Sequence, residues 1–193
     1  MKLKVILLGL LIGVFANISF GATESYVLDP LHTAVNWEIN HFGFANVTGK
    51  WYADGQLNYD EQNPQNSSVK VTIDIAKIVT GIPKLDYNIL GSAFLDVKKY
   101  PKATFVSTKV TMMDKNTRTV EGNLTLHGVT KPVVLNVTFN KVGIDPITKL
   151  NTSGFSAKTS IMRSDYKITT YVPSISDEVQ LDIEVEAMIN KGK

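Results

Sequence analysis

Apolar and polar residues alternate one for one along most of this chain, which marks strands with one buried and one wetter face. The C-terminal segment is the clearest. Val179, Leu181, Ile183, Val185, Ala187 and Ile189 share one phase, while Glu178, Gln180, Asp182, Glu184 and Glu186 take the other. A helix would scatter those acids around its circumference. Val69, Val71, Ile73 and Ile75 repeat the pattern against Lys70, Thr72 and Asp74, as do Val133, Leu135, Val137 and Phe139 against Asn136, Thr138 and Asn140. Weaker runs cover Ala34 to His41, Gly49 to Tyr59, Lys102 to Met112, Arg118 to Leu126 and Gly154 to Arg163. Asn63-Pro64, Gly81 with Pro83, Asp114 to Asn116, His127-Gly128 and Asp145-Pro146 supply turn chemistry between them. The pattern predicts about eight strands. Only Asp86 to Val97 lacks alternation; it reads as one or two short helical turns with Ile89, Leu90, Phe94 and Leu95 as the apolar side.

Short turns between successive strands favour antiparallel neighbours, and no crossover helices are present to support a parallel sheet. The fold class is therefore all-β, and a sandwich and an up-and-down barrel both satisfy the pattern. Eight tilted strands close into a barrel whose interior is either filled by side chains or left open for one small ligand. A filled core and a lined cavity use the same Val, Leu, Ile and Phe, so alternation alone leaves both open.

The N-terminus sets the compartment. Lys2 and Lys4 precede the apolar run Val5 to Phe15, followed by Asn17, Ser19 and the small residues Gly21 and Ala22. This is the layout of a secretory signal peptide over residues 1–22, cut after Gly21 or Ala22, with the mature domain over 23–193. The apolar run falls short of the roughly 20 residues a membrane span needs, so stable membrane insertion is not expected. Removal of residues 1–22 leaves 171 residues with 18 basic and 18 acidic side chains. A neutral chain without a basic run has no electrostatic footprint for nucleic acid. The chain has no cysteine, which excludes disulfides, thiolate metal sites and cysteine nucleophiles. At this length a single core holds the fold without covalent help.

Catalytic chemistry finds little support in the residues. The three histidines, His32, His41 and His127, are widely spaced and form no metal-binding motif. There is no Gly-x-Ser-x-Gly elbow and no phosphate-binding glycine loop. Asp60-Glu61 and Asp177-Glu178 lie in polar turns, where solvation accounts for them. His127 reads as a hairpin residue, and His32, after Asp29-Pro30-Leu31, as hydrogen-bonded within its own turn. The expectation is a non-enzyme that requires no cofactor and no metal.

A set of ordered segments carries a resemblance. Tyr100-Pro101-Lys102-Ala103-Thr104-Phe105-Val106-Ser107-Thr108 and Gly122-Asn123-Leu124-Thr125-Leu126-His127-Gly128-Val129-Thr130-Lys131-Pro132 occur together and in this order. They are flanked by Asp29, His32-Thr33, Phe94-Leu95-Asp96-Val97, Gly154-Phe155 and Arg163-Ser164-Asp165-Tyr166. Together these resemble the YceI-like family, from about Tyr26 to Ile189. The resemblance implies an eight-stranded antiparallel, lipocalin-like barrel, periplasmic or secreted, that holds a polyisoprenoid or other long-chain lipid inside. Lys167 departs from the pattern, standing where the family commonly has Gly.

Strand phase then nominates the lining. Val35, Trp37 and Ile39 share one phase of the first strand, and Trp51 and Leu57 one phase of the second, with Gly49 and Gly55 expected to leave room opposite Trp51. Val71, Ile73, Phe105, Leu124, Leu135, Val137, Phe155 and Ile161 follow from later strands, and Phe94 is placed to cap an opening from the helical insert. His41 and Arg163 end inward phases and are the head-group candidates, with Asp165 or Asp29 as alternative partners for Arg163. The competing reading is a structural or adhesion module with a filled core. The acid-rich outer face of 178–189 opposes self-pairing through that strand and leaves a homodimer through other faces open.

Overall fold

The computed structural model describes residues 23–190; the expected secretory segment lies outside the described residues. Nine strands follow in chain order: β1 (Glu24–Leu28), β2 (Ala34–His41), β3 (Ala45–Tyr59), β4 (Ser68–Asp74), β5 (Lys102–Met112), β6 (Thr117–Leu126), β7 (Val129–Ile144), β8 (Asn151–Met162) and β9 (Glu178–Ile189). Every pairing is antiparallel. The order β3-β2-β9-β8-β7-β6-β5-β4 closes on itself through β3–β4, where Ala53 faces Ile73 and Asn58 faces Ser68. This is the eight-stave barrel, and the sandwich is excluded.

The ninth strand shares a stave. β1 and β2 both lie between β3 and β9: Tyr26 faces Leu57 and Ile189, and Val35 faces Trp51 and Ile183. The stave breaks at Asp29–Thr33, where the backbone N–H of Asp29 and the Thr33 hydroxyl both donate to the Glu186 carbonyl, at 2.8 and 3.0 Å. A barrel strand that bends hard needs such side bonds to satisfy the backbone groups the ladder has lost.

Turn chemistry explains several boundaries. His127 and Gly128 join β6 to β7 with φ of 49° and 74°, the two-residue hairpin in which both positions take positive φ. At Asp114 one carboxylate oxygen accepts from the N–H groups of Asn116 and Thr117, and at Asp145 one accepts from Ile147 and Thr148. β4 ends at Asp74 rather than Ile75, because Ile75 opens a tight helical turn over Ile75–Lys77. Likewise β8 stops at Met162, and Arg163 begins the turn Arg163–Tyr166 instead of ending the strand. The helical insert starts earlier than expected: α1 spans Pro83–Leu90, with Pro83 at its first turn, and 91–97 is a series of turns.

The inward phase carries three packed groups. Tyr26, Leu28, Leu57, Tyr59, Phe155 and Ala187 seal the end of the barrel where β1 enters. Ile75, Leu95, Ala103, Tyr166 and Ile168 seal the opposite end beneath the insert, with Phe94, Ile89 and Leu90 packed on them. Phe105, Val110 and Val120 form a smaller group on the wall between β5 and β6.

The glycines of β3 do not leave the room expected of them. A Cβ on Gly49 would lie 2.4 Å from Trp37 Cζ2, and one on Gly55 would lie 2.3 Å from the Lys70 carbonyl and 2.9 Å from Leu28 Cδ1. The Trp37 indole occupies the first space, and β4 with Leu28 the second. These glycines are needed for close approach.

Candidate functional site

The ladder registers place the nominated apolar residues on one continuous inner surface. Val71 faces Phe105, Phe105 faces Leu124, Val120 faces Leu135 and Val137 faces Ala157, so the inward phase runs unbroken from β4 to β8. Val35, Trp37, Leu57, Phe105 and Phe155 are buried; Ile39, Trp51, Val71, Ile73, Phe94, Leu124, Leu135, Val137 and Ile161 are half-buried. The half-buried state is not random. Three staves present every apolar residue of their inner middles half-buried: Val69, Val71 and Ile73 on β4, Val133, Leu135 and Val137 on β7, and Val179, Leu181, Ile183 and Val185 on β9. A solid core packs to crystal-like density and seals such positions. Here the two larger sealed clusters sit at the ends, and the smaller Phe105, Val110 and Val120 group lies on the wall with Val69, Val71, Leu135 and Val137 against it.

Two indoles shape one side of this surface. Trp51 donates from Nε1 to the Ile75 carbonyl at 3.1 Å, which ties β3 to the turn below the insert. Trp37 lies 6.0 Å from it, centroid to centroid, and its own Nε1 is buried without a hydrogen-bond partner.

Aromatic rings surround the insert end. The β2–β3 turn offers Phe42 and Phe44, the latter 90% exposed, and Phe42 lies 6.3 Å from Tyr171. Phe94 lies 6.4 Å from Tyr171 and packs on the cluster beneath the insert. His41 is exposed on this rim, its ring edge against Phe42 at 4.6 Å and its backbone bridged to Ile175.

Arg163 has different work from either reading of its sequence position. Its Nε donates to the Ser176 carbonyl, one terminal nitrogen to the Ile168 and Thr170 carbonyls and the other to the Ile175 carbonyl, at 2.8 to 3.1 Å. Four of the five N–H donors of a guanidinium are thus spent on loop carbonyls, and neither Asp165 nor Asp29 is its partner. Asp177 instead accepts from the Ser164 N–H and hydroxyl, which holds its carboxyl below the usual value despite partial burial. Burial lowers the Arg163 pKa, with Asp177 opposing.

The remaining histidines follow the expected turns. His32 Nδ1 meets Asp29 Oδ2 at 2.6 Å, which raises the His32 pKa. Burial works against the Asp29 carboxylate, but this bond and the Leu31 N–H hold its pKa below the usual value. Asp29, His32 and Glu186 bring ligand-type atoms within 4.8 Å of one another, yet the first two are already satisfied by each other. His127 Nδ1 bonds the Tyr166 carbonyl at 2.9 Å and its ring packs on Tyr100. Burial pushes the Tyr166 phenol up to about 12.

Sequence reasoning passed over Arg118. It is 5% exposed, and its guanidinium lies over the rings of Phe139 at 5.4 Å and Phe155 at 5.8 Å. The signal was present: Arg118, Val120, Gly122 and Leu124 share the inward phase of β6.

Two open depressions, one beside β7–β9 at Asn140, Asp145 and Glu184 and one beside the Lys50–Val79 bridge at Asn36, Trp37 and Gly49, mix polar and apolar lining. Among the described residues no helix is long and apolar enough to cross a membrane.

Comparison with known proteins agrees with this architecture. A UPF0312 protein of Pseudomonas putida strain W619 is 38% identical over 161 residues, covering 83% of each chain, and one of Pseudomonas fluorescens strain SBW25 is 37% identical over the same shares. The crystal structure of a Campylobacter jejuni YceI protein superposes with a TM-score of 0.72 at 30% identity, over 79% of this chain and 90% of that one. Burkholderia cenocepacia BcnA gives 0.75 at 25% identity, over 82% and 98%. A polyisoprenoid binding domain from Saccharophagus degradans shares the fold, with a TM-score of 0.62 at 16% identity over 86% and 99%. The YceI-like domain model matches residues 26–187, and with the inner register, the two sealed ends and the aromatic rim already in place, the chain belongs to the YceI-like family.

Proposed function

We propose that this protein holds a long-chain amphiphile, a polyisoprenoid or related lipid, inside its barrel, and carries or sequesters it outside the cytoplasm after removal of residues 1–22. The observation that carries the reading is the half-buried state of the inner middles of β4, β7 and β9 between two sealed ends. Apolar side chains left partly uncovered inside a closed wall gain from a hydrocarbon guest at roughly 0.8 kcal/mol for each buried methylene. No catalytic group is needed for such binding. The polyisoprenoid binding domain with the same fold supports the ligand class, and Phe42, Phe44 and Tyr171 offer a greasy rim at the insert end for a lipid to cross.

The test is direct. The protein purified after export is extracted with organic solvent, and the extract is analysed by mass spectrometry. A stoichiometric long-chain amphiphile is the expected result. An empty protein that takes up neither isoprenoids nor fatty amides would instead be the structural or adhesion module with a filled core.

A further inference from the structure

The barrel contains two buried arginines, treated in opposite ways. Arg163, at the insert end, is saturated by carbonyls. Arg118 begins β6 at the other end, facing Met112 and Val137 across the ladder. It is equally buried, at 5%, and forms no ion pair or hydrogen bond with any described residue; its Nε is sealed from solvent without a partner. Its neighbours are rings: Phe139 and Phe155 lie under the guanidinium, and Tyr59 packs on both, 6.2 Å from Phe139 and 5.4 Å from Phe155. The faces of those rings stabilise the cation, but a guanidinium donates in its own plane, where no described residue accepts from it and its Nε is shut off from water as well. A buried charge left unpaired is strongly unfavourable. Two residues before Phe155 on the inner face of β8, the Ser153 hydroxyl is also sealed and without a partner.

A buried guanidinium set among aromatic rings, with no acceptor among the described residues, describes a site short of one acceptor. We infer that Arg118 receives the oxyanion head group of the bound lipid, a carboxylate or a phosphate, so that the head lies at the β1 end and the tail runs toward Trp51 and the insert. This orientation is opposite to the one expected from His41 and Arg163. The inference rests on the carrier reading and specifies its ligand class.

The experiment measures binding of oleate against oleyl alcohol, and farnesyl phosphate against farnesol, to the delipidated wild type, Arg118→Met and Arg118→Lys. Arg118→Met should weaken the anion by roughly tenfold to a hundredfold, the range of a charge-assisted hydrogen bond, and leave the matching alcohol within about twofold. Arg118→Lys, which keeps the charge and loses the fork, should fall between. Without ligand, Arg118→Met should melt no lower than wild type, because an unpaired charge has been replaced by an apolar chain of similar length. The anion that shows the Arg118-dependent gain identifies the source, fatty acid or isoprenyl phosphate. If both alcohols bind while neither anion depends on Arg118, this inference is wrong and the carrier reading stands. If no alcohol and no anion binds the wild type, the carrier reading fails and takes this one with it. Should Arg118→Met not fold, Arg118→Lys and the wild-type preference for anion over alcohol decide the matter alone.

Discussion

Arg163 shows how a residue chosen for its charge is used for its geometry. Its planar fork reaches four carbonyls on the 168–176 loop at once, which a lysine's three donors on one nitrogen do not match. Arg163→Met should destabilise the fold by about 3 kcal/mol or more, since several buried carbonyls lose their donor together, and Arg163→Lys should recover only part of it. Chemical denaturation checks both. The Asp29–His32 pair makes a second, pH-dependent prediction at this scale. The His32 pKa is raised in the fold, so its contribution is complete below the ordinary value of 6.5 and lost as pH rises through the folded value. The Asp29 pKa is lowered, so its contribution is complete above 3.8 and lost as pH falls through the folded value. The pair therefore stabilises most between about pH 4 and pH 6.5. His32→Gln should remove the decline above that window from a melting-temperature profile; an unchanged profile would assign the decline to other groups. Lys167, where the resemblance implies a glycine, sits at φ of 63°, a left-handed backbone that glycine adopts without strain.

At the scale of elements, legibility followed the length and purity of alternation. β4 and β9 could be read from the chain because each inward residue is aliphatic and, Met188 apart, each outward one is polar. β1 escaped notice because five residues offer only Tyr26 and Leu28 as its buried phase. The extra residues at the start of β3 and at both ends of β7 escaped for a related reason: Ala45, Asn46, Lys131 and Lys141 are exposed where the strands reach past the core. The role of the β3 glycines was misread because sequence shows an absent side chain but not what fills the space. That correction is testable. Gly55→Ala places a Cβ against the backbone of β4, which cannot yield as a side chain can, and should cost about 2 kcal/mol or more. Gly143→Ala meets only the Lys141 Cε at 3.5 Å and should stay within about 0.5 kcal/mol of wild type. Equal losses in the two variants would show that β3 and β4 approach less closely than described.

At the scale of the whole molecule, strand phase predicted the inner face, but closure had to come from the ladder. Alternation says which residues share a face; only the β3–β4 pairing turns that face into an interior, and only then do half-buried Val and Leu side chains bear on the proposed guest site rather than on a sheet edge. The same step gives Arg118 its meaning, because its inward phase was readable in the chain but its surroundings were not. A lone arginine at the start of a run reads as a solvated strand end until the β5 and β7 registers place it among Tyr59, Phe139 and Phe155. The inside–outside assignment yields a further test that depends on no head group. Trp51 and Tyr52 are adjacent and similar in bulk, yet Trp51 faces the lumen beside Trp37 while Tyr52 is exposed on the outer wall under the Lys50 ammonium. Loading a long-chain alcohol should shift or quench indole emission, and Trp51→Ala should weaken uptake by tenfold or more, consistent with the roughly 1.5–3 kcal/mol of burying one large apolar side chain. Tyr52→Ala should leave uptake within about twofold. Trp51 also holds the Ile75 carbonyl, so Trp51→Phe, which removes that hydrogen bond but keeps an apolar ring, separates lost lining from lost anchorage. If Trp51→Phe binds as weakly as Trp51→Ala, the bond to Ile75 governs uptake by holding the insert in place; if it binds like wild type, contact with the guest does.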